Sequence, residues 1–223
     1  MRVQVNEQGG RELGWISVFV AALFVVTVSG VFAWFMRDEL VVGDDSTSEL
    51  LDEDFSGIGA LAEPEGDNGD DRWDVIAGEW TTDAGKAVVV TSGEADAIAL
   101  AAAAPPRSTI GAMIGGEARC GVVGRYRSPS DHVALYREPD FGVWNLVAVT
   151  SAGPQFLGNL PDSPTMDVRA ELTVGTRVVE ASVLGRTLTV VLDEVASDSG
   201  VGLIGIDEVT GCSWDDVLVE SVP

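Results

Sequence analysis

The chain has 223 residues, 36 of them Asp or Glu and 13 Lys or Arg, for a formal net charge of −23 at pH 7. Such a balance repels DNA, RNA and anionic lipid headgroups, which excludes nucleic acid as a partner. The apolar fraction of 46% excludes a disordered acidic tail and suffices for a folded core.

From the N-terminus, Gly14 to Met36 (GWISVFVAALFVVTVSGVFAWFM) is a run of 23 positions without a charge. As a helix it spans roughly 34 Å, enough for a hydrocarbon core of roughly 30 Å. Trp15 and Trp34 stand at its two ends, where indoles prefer the interface. Arg2, Arg11 and the terminal amine precede it and Arg37 follows, a bias that favours the N-terminus inside. The reading is a single-pass signal anchor over 14–36, a cytoplasmic tail over 1–13 and an outer domain. The rival is a cleaved signal peptide, with Val31-Phe32-Ala33 as the cleavage site, although the run is long for that role. Both place the rest of the chain outside the cytoplasm. Ser29 and Ala33 form one small-residue pair of the kind that lets two helices pack.

Residues 38–71 hold thirteen acids and no base. The first part of this stretch, 37–49, reads as a short acidic linker, and the domain is expected over 50–223. Beyond Leu50 the chain breaks into short segments separated by Gly, Pro, Asp and Ser. Strands are expected at 74–77, 79–82, 87–91, 95–101, 108–114, 120–127, 132–137, 143–151, 165–174, 178–184, 188–193, 200–206 and 213–220. This spacing is the signature of an antiparallel sandwich or barrel. In VRAELTV, Val168, Ala170, Leu172 and Val174 share one face and Arg169, Glu171 and Thr173 the other, as a strand on a core requires. No amphipathic helix appears beyond the anchor. The Ala-rich stretch Ala95–Ala104 ends at Pro105 and is kept as a strand.

Cys120 and Cys212 are the only two cysteines. Outside the cytoplasm such a pair is expected as a disulfide. Four of the domain's basic residues lie between Arg119 and Arg137, beside aromatic side chains. Arg125, Arg127, His132, Tyr136 and Trp144, with Tyr126 and Arg137, therefore form the candidate ligand surface. Arginine and histidine hydrogen-bond sugar hydroxyls, and aromatic rings stack on sugar faces. Arg125 and Arg127 are expected on one face of their strand, opposite Tyr126.

LLDEDFSG (Leu50–Gly57), RWDVIAGEWTTDAG (Arg72–Gly85), CGVVGRYRSPSDHVALY (Cys120–Tyr136) and SGVGLIGIDEVTGCSWDDVLVE (Ser199–Glu220) together resemble the concanavalin A-like lectin/glucanase superfamily. The likeness is to its laminin-G-like jelly-roll branch of bacterial surface proteins. It implies an all-β jelly-roll sandwich of two antiparallel sheets, one of them concave, here preceded by the single transmembrane helix. Relatives often carry calcium, and Asp131, Asp140, Asp207, Asp215 and Asp216 are the candidate ligands of a structural ion. The hydrolase branch uses a Glu-x-Asp-x-Glu strand, absent from this chain. Glu49, Asp52, Glu53 and Asp54 come nearest, but their spacing divides them between two faces. His132 with Ser128, Ser130 and Asp131 reads as a turn rather than a triad. The expected function is a membrane-tethered, non-catalytic binding module for a glycan or cell-surface polymer. The alternatives are an accessory subunit docking on other membrane proteins and a glycan-directed hydrolase.

Overall fold

A computed structural model describes residues 48–56, 61, 72–91, 96–102, 104–163, 167–193, 200–207 and 211–222. The expected anchor over 14–36 lies outside them. Among the described residues no helix is long and apolar enough to cross a membrane.

Fifteen strands and one turn of 3-10 helix (Pro139–Phe141) make up the described fold. In chain order the strands are β1 (Glu49–Glu53), β2 (Trp73–Ala77), β3 (Glu79–Asp83), β4 (Lys86–Thr91), β5 (Ala97–Ala101), β6 (Ser108–Gly115), β7 (Cys120–Ser128) and β8 (Asp131–Glu138). They continue with β9 (Val143–Thr150), β10 (Gly153–Pro161), β11 (Val168–Val174), β12 (Val178–Val183), β13 (Arg186–Val191), β14 (Gly200–Gly205) and β15 (Ser213–Ser221). One sheet runs β13-β12-β11-β6-β15-β4-β3, with β1 also paired to β15, and the other runs β10-β9-β8-β7-β14-β5-β2. Every neighbouring pair is antiparallel.

The core lies between the sheets. β11 alternates buried and half-buried positions along its whole length, as period two demands. Trp73 and Trp144 from one sheet and Trp214 from the other are fully buried in this layer. Each such aromatic removes on the order of 150–250 Å² from water, so these rings carry much of the packing energy. Cys120 opens β7 and Cys212 precedes β15, and they are joined in a disulfide with Cα atoms 5.6 Å apart. The bond ties one sheet to the other.

All of the expected strands form, with ends shifted by a few residues where they are described; Ala95, Thr165 and Met166, at the expected starts of two of them, lie outside the described residues. Two more were not anticipated. β10 carries Gly153, Pro154, Gly158 and Pro161, residues that punctuate turns, but it is the edge strand of its sheet, where proline is tolerated. β1 is mostly acidic, yet it turns Leu51 and Glu53 inward and borrows its order from β15.

Candidate functional site

The candidate residues meet at the tip of the β7–β8 hairpin, where the sequence pattern breaks. Pairing of β7 with β8 shifts register between Gly124 and Ser128, and pairing with β14 shifts between Gly200 and Gly202. At this bulge Arg125 takes φ +51°, a left-handed conformation unfavourable for any residue with a Cβ. Bulges commonly re-aim a side chain. Here the break brings Tyr126 to the face of Val123, which plain alternation would set opposite it. Arg125 lines a pocket of about 180 Å³ together with Val133 and Ala148, which belong to the main core. Tyr126 joins a second apolar cluster on the opposite face of the same sheet, with Ile98, Val123, Ala134 and Ile204.

That opposite, outer face can be read from the ladder, because directly paired residues point the same way. One row across the sheet is Ile98, Ile204, Gly121, Tyr136, Asn145 and Asn159. The next is Leu100, Gly202, Val123, Ala134, Val147 and Phe156. Glycine is required at two of these places. A Cβ at Gly121 would lie 2.1 Å from the Leu135 carbonyl oxygen, and one at Gly202 2.1 Å from that of Ala99. The centre of the face is apolar and buried, with Ile98, Val123, Ala134 and Ile204 at most 2% exposed, and the more exposed groups lie on its β9–β10 side. Phe156 is 61% exposed, Asn159 is exposed, and Tyr136 and Asn145 are half-buried.

His132 and Tyr126 lie on this face with ring centroids 5.8 Å apart. Tyr126 Oη is buried and has no hydrogen-bond partner among the described residues. Burial pushes the Tyr126 phenol up, with a smaller push from the Asp96 carboxylate. His132 Nδ1 lies 3.3 Å from the Ser128 carbonyl oxygen. Burial lowers the His132 pKa and outweighs the opposing effects of that carbonyl, Asp96 and Asp131. The imidazole is thus harder to protonate folded than unfolded. As pH falls through the unfolded value of 6.5, the unfolded chain takes the proton first. The stabilising contribution of neutral His132 is complete above that pH and is lost below it. Chemical denaturation of wild type and His132→Gln from pH 7.5 to 5 should show it. The wild type loses up to about 1.4 kcal/mol per pH unit that the variant retains, and parallel profiles would refute the assignment.

The remaining expected residues divide. Arg127 pairs with Asp131 at 3.2 Å, at the mouth of the Arg125 pocket. Trp144 is not part of a ligand surface: it is fully buried, and Nε1 donates to Asp162 Oδ1 at 2.8 Å. Arg137 is likewise internal, paired with Asp162 at 2.7 Å. The five candidate calcium ligands are spread over the sandwich. Asp207 pairs with Arg119, Asp140 sits in the 3-10 turn, and Asp215 and Asp216 lie on β15 in the other sheet. Among the described residues no three His, Cys, Asp or Glu side chains converge to hold a metal ion. Asn145, Phe156 and Asn159 were missed. The outward Asn145 in VWNLVAVT was the available signal: alternation puts Trp144, Leu146 and Ala148 on the inner face.

No protein-family model and no curated protein matches the chain. Solved structures do. The carbohydrate binding module CBM66 from Bacillus subtilis superposes with TM-score 0.55 at 14% identity, over 67% of this chain and 96% of that one. A non-specific endo-β-1,3(4)-glucanase of family GH16 superposes with TM-score 0.55 at 9% identity, over 81% of this chain and 93% of that one. The catalytic domain of a laminarinase from Thermotoga petrophila gives 0.51 at 11%, over 80% and 99%. The fold is a concanavalin A-like jelly roll. Identities this low establish the jelly roll and leave its chemistry to the site itself. On this jelly roll the central outward positions of β7 and β8 are Gly121, Val123, Ala134 and Tyr136, none of them a carboxylate. A retaining glycosidase needs two carboxyl groups about 5–5.5 Å apart.

Proposed function

We propose that the protein is a membrane-tethered, extracytoplasmic glycan-binding module that works without catalysis. The observation that carries the binding half is the outer face of the seven-stranded sheet. It sets aromatic rings (Phe156, Tyr136) beside amides (Asn145, Asn159), with Phe156 and Asn159 exposed. Sugars need that combination: an apolar surface for the C–H face of the ring and fixed polar groups for the hydroxyls. The carboxyl-free centre supports binding over hydrolysis. The tether rests on the uncharged run Gly14–Met36. The outer address rests on the basic bias before that run and on the Cys120–Cys212 bond, since such bonds persist where thiols are oxidised.

A panel of neutral, amino and acidic oligosaccharides, titrated against the full chain in detergent, tests the reading. Phe156→Ala and Tyr136→Ala are expected to weaken the best ligand about 5–10-fold each. Phe156 is largely exposed, so its loss should leave the melting temperature unmoved. No binding to any oligosaccharide would defeat the proposal.

A further inference from the structure

We infer that the open edge of β13 pairs with the same edge of a second copy of this chain, joining two eight-stranded sheets into one. Among the described residues, β1, β2, β3, β10 and β13 each have a strand on one side only. Such edges offer unpaired N–H and C=O groups, which native proteins guard with bulges, prolines or charges. Four of these five edges are guarded. The ladder slips register in β1, β2, β3 and β10, and β10 also carries Pro154 and Pro161. β13 (RTLTVV) pairs with β12 over six consecutive residues without a slip, and it holds no proline and no acid.

The edge is regular in what it presents. Leu192 N–H donates to the Arg177 carbonyl oxygen at 2.7 Å, on the β12 side. Alternation then turns the backbone groups of Thr187, Thr189 and Val191 away from β12, to the open side. Their side chains share the solvent face of the sheet, and all three are exposed and β-branched. Antiparallel pairing centred on Thr189 sets Thr189 opposite its own copy and each Thr187 opposite a Val191. That register makes about six backbone hydrogen bonds and stacks β-branched pairs, which favour a sheet. Charge selects a second copy as the occupant. Elsewhere two copies repel, at −23 each, but the stretch from Thr187 to Leu192 is uncharged. Arg186 stands at one end of it and Asp193 just past the other, both exposed. An antiparallel copy brings each Arg186 to the Asp193 end of its partner, twice over. The twofold axis stands normal to the joined sheet, so both seven-stranded sheets lie on the same side of it. On the glycan reading, the two outer faces then point the same way and hold one polymer at two points.

A single strand edge is a small interface, so a dissociation constant of about 10–100 µM is expected. Sedimentation velocity of the full chain in detergent, from about 1 to 200 µM, tests the pairing. The wild type should pass from monomer to dimer over that range. Thr189→Lys should stay monomeric throughout, because two lysines would face each other across the axis. Within one copy that lysine stands opposite Glu180, so the melting temperature should not fall. Thr189→Cys gives a second readout. Directly paired, hydrogen-bonded residues have Cα atoms about 5.5 Å apart, within disulfide reach. Mild oxidation should cross-link it about tenfold faster than Val90→Cys, a site of similar exposure on β4. Three results would each overturn the edge pairing: a wild type that stays monomeric, a dimer that survives Thr189→Lys, as one made by Ser29 and Ala33 of the anchor would, and cross-linking no faster at Thr189 than at Val90. A dimer abolished by Thr189→Lys in a chain that binds no oligosaccharide supports the edge and sinks the glycan reading.

Discussion

Reduction of the Cys120–Cys212 disulfide is expected to cost the domain about 4–5 kcal/mol. The two cysteines are 92 residues apart in sequence. Closing a loop of that length removes a large share of the unfolded chain's freedom, which sets the figure in the chain-entropy model. Placement adds to the effect. Within each sheet the strands are held by backbone hydrogen bonds, but between the sheets the contacts are side-chain packing. The disulfide is a covalent tie across that gap, between the start of β7 and the entry to β15. Both sulfurs are buried, so reductant acts chiefly on opened molecules, and the Cys120→Ala/Cys212→Ala variant is the cleaner probe. Its melting temperature should fall by roughly 10–15 °C for a domain of this size. An unchanged denaturation midpoint would show that the bond contributes nothing.

How much of the molecule could be read from the residues depended on where each pattern originates. β11 was legible because both of its faces have fixed environments, so VRAELTV alternates without interruption. β10 was not, because an edge strand accepts proline and glycine, and its order comes from β9 rather than from its own sequence. Phe156 and Asn159 were lost with it. The cysteine pair was legible from its number and the expected outer compartment. The opposition of Arg125 and Tyr126 was legible, but the bulge was not: plain alternation in VGRY would put Tyr126 opposite Val123, and only the shifted ladder shows the two in one cluster. Trp144 was misread as surface because an aromatic near arginines suits both a site and a core. The same strand's Asn145 carried the answer.

The second large effect is expected at a group with no local sequence signal at all. Asp162 follows β10 and is buried to 0% side-chain exposure, and Arg137 on β8 is at 4%. Asp162 Oδ2 accepts from Arg137 Nε at 2.7 Å, and Oδ1 accepts from Trp144 Nε1 at 2.8 Å. Arg137 Nη1 and Nη2 donate to the carbonyl oxygens of Gly116 and Ser163 at 2.7 and 2.9 Å. The network thus fastens β8 and β9 to the turn after β6 and to the chain leaving β10. Asp162→Ala strands a buried guanidinium and a buried indole N–H together. Removing one partner of a buried pair costs about 3–5 kcal/mol, because the remaining charge stays desolvated. Asp162→Asn should cost less, since its side-chain carbonyl oxygen still accepts from Trp144. Arg137→Met combined with Asp162→Ala should cost less than the sum of the two single changes, by a coupling of about 1–3 kcal/mol. Urea denaturation of the four proteins measures all of this. A loss below about 1 kcal/mol for Asp162→Ala would mean that water reaches the site and that the network does not hold this end of the sandwich closed.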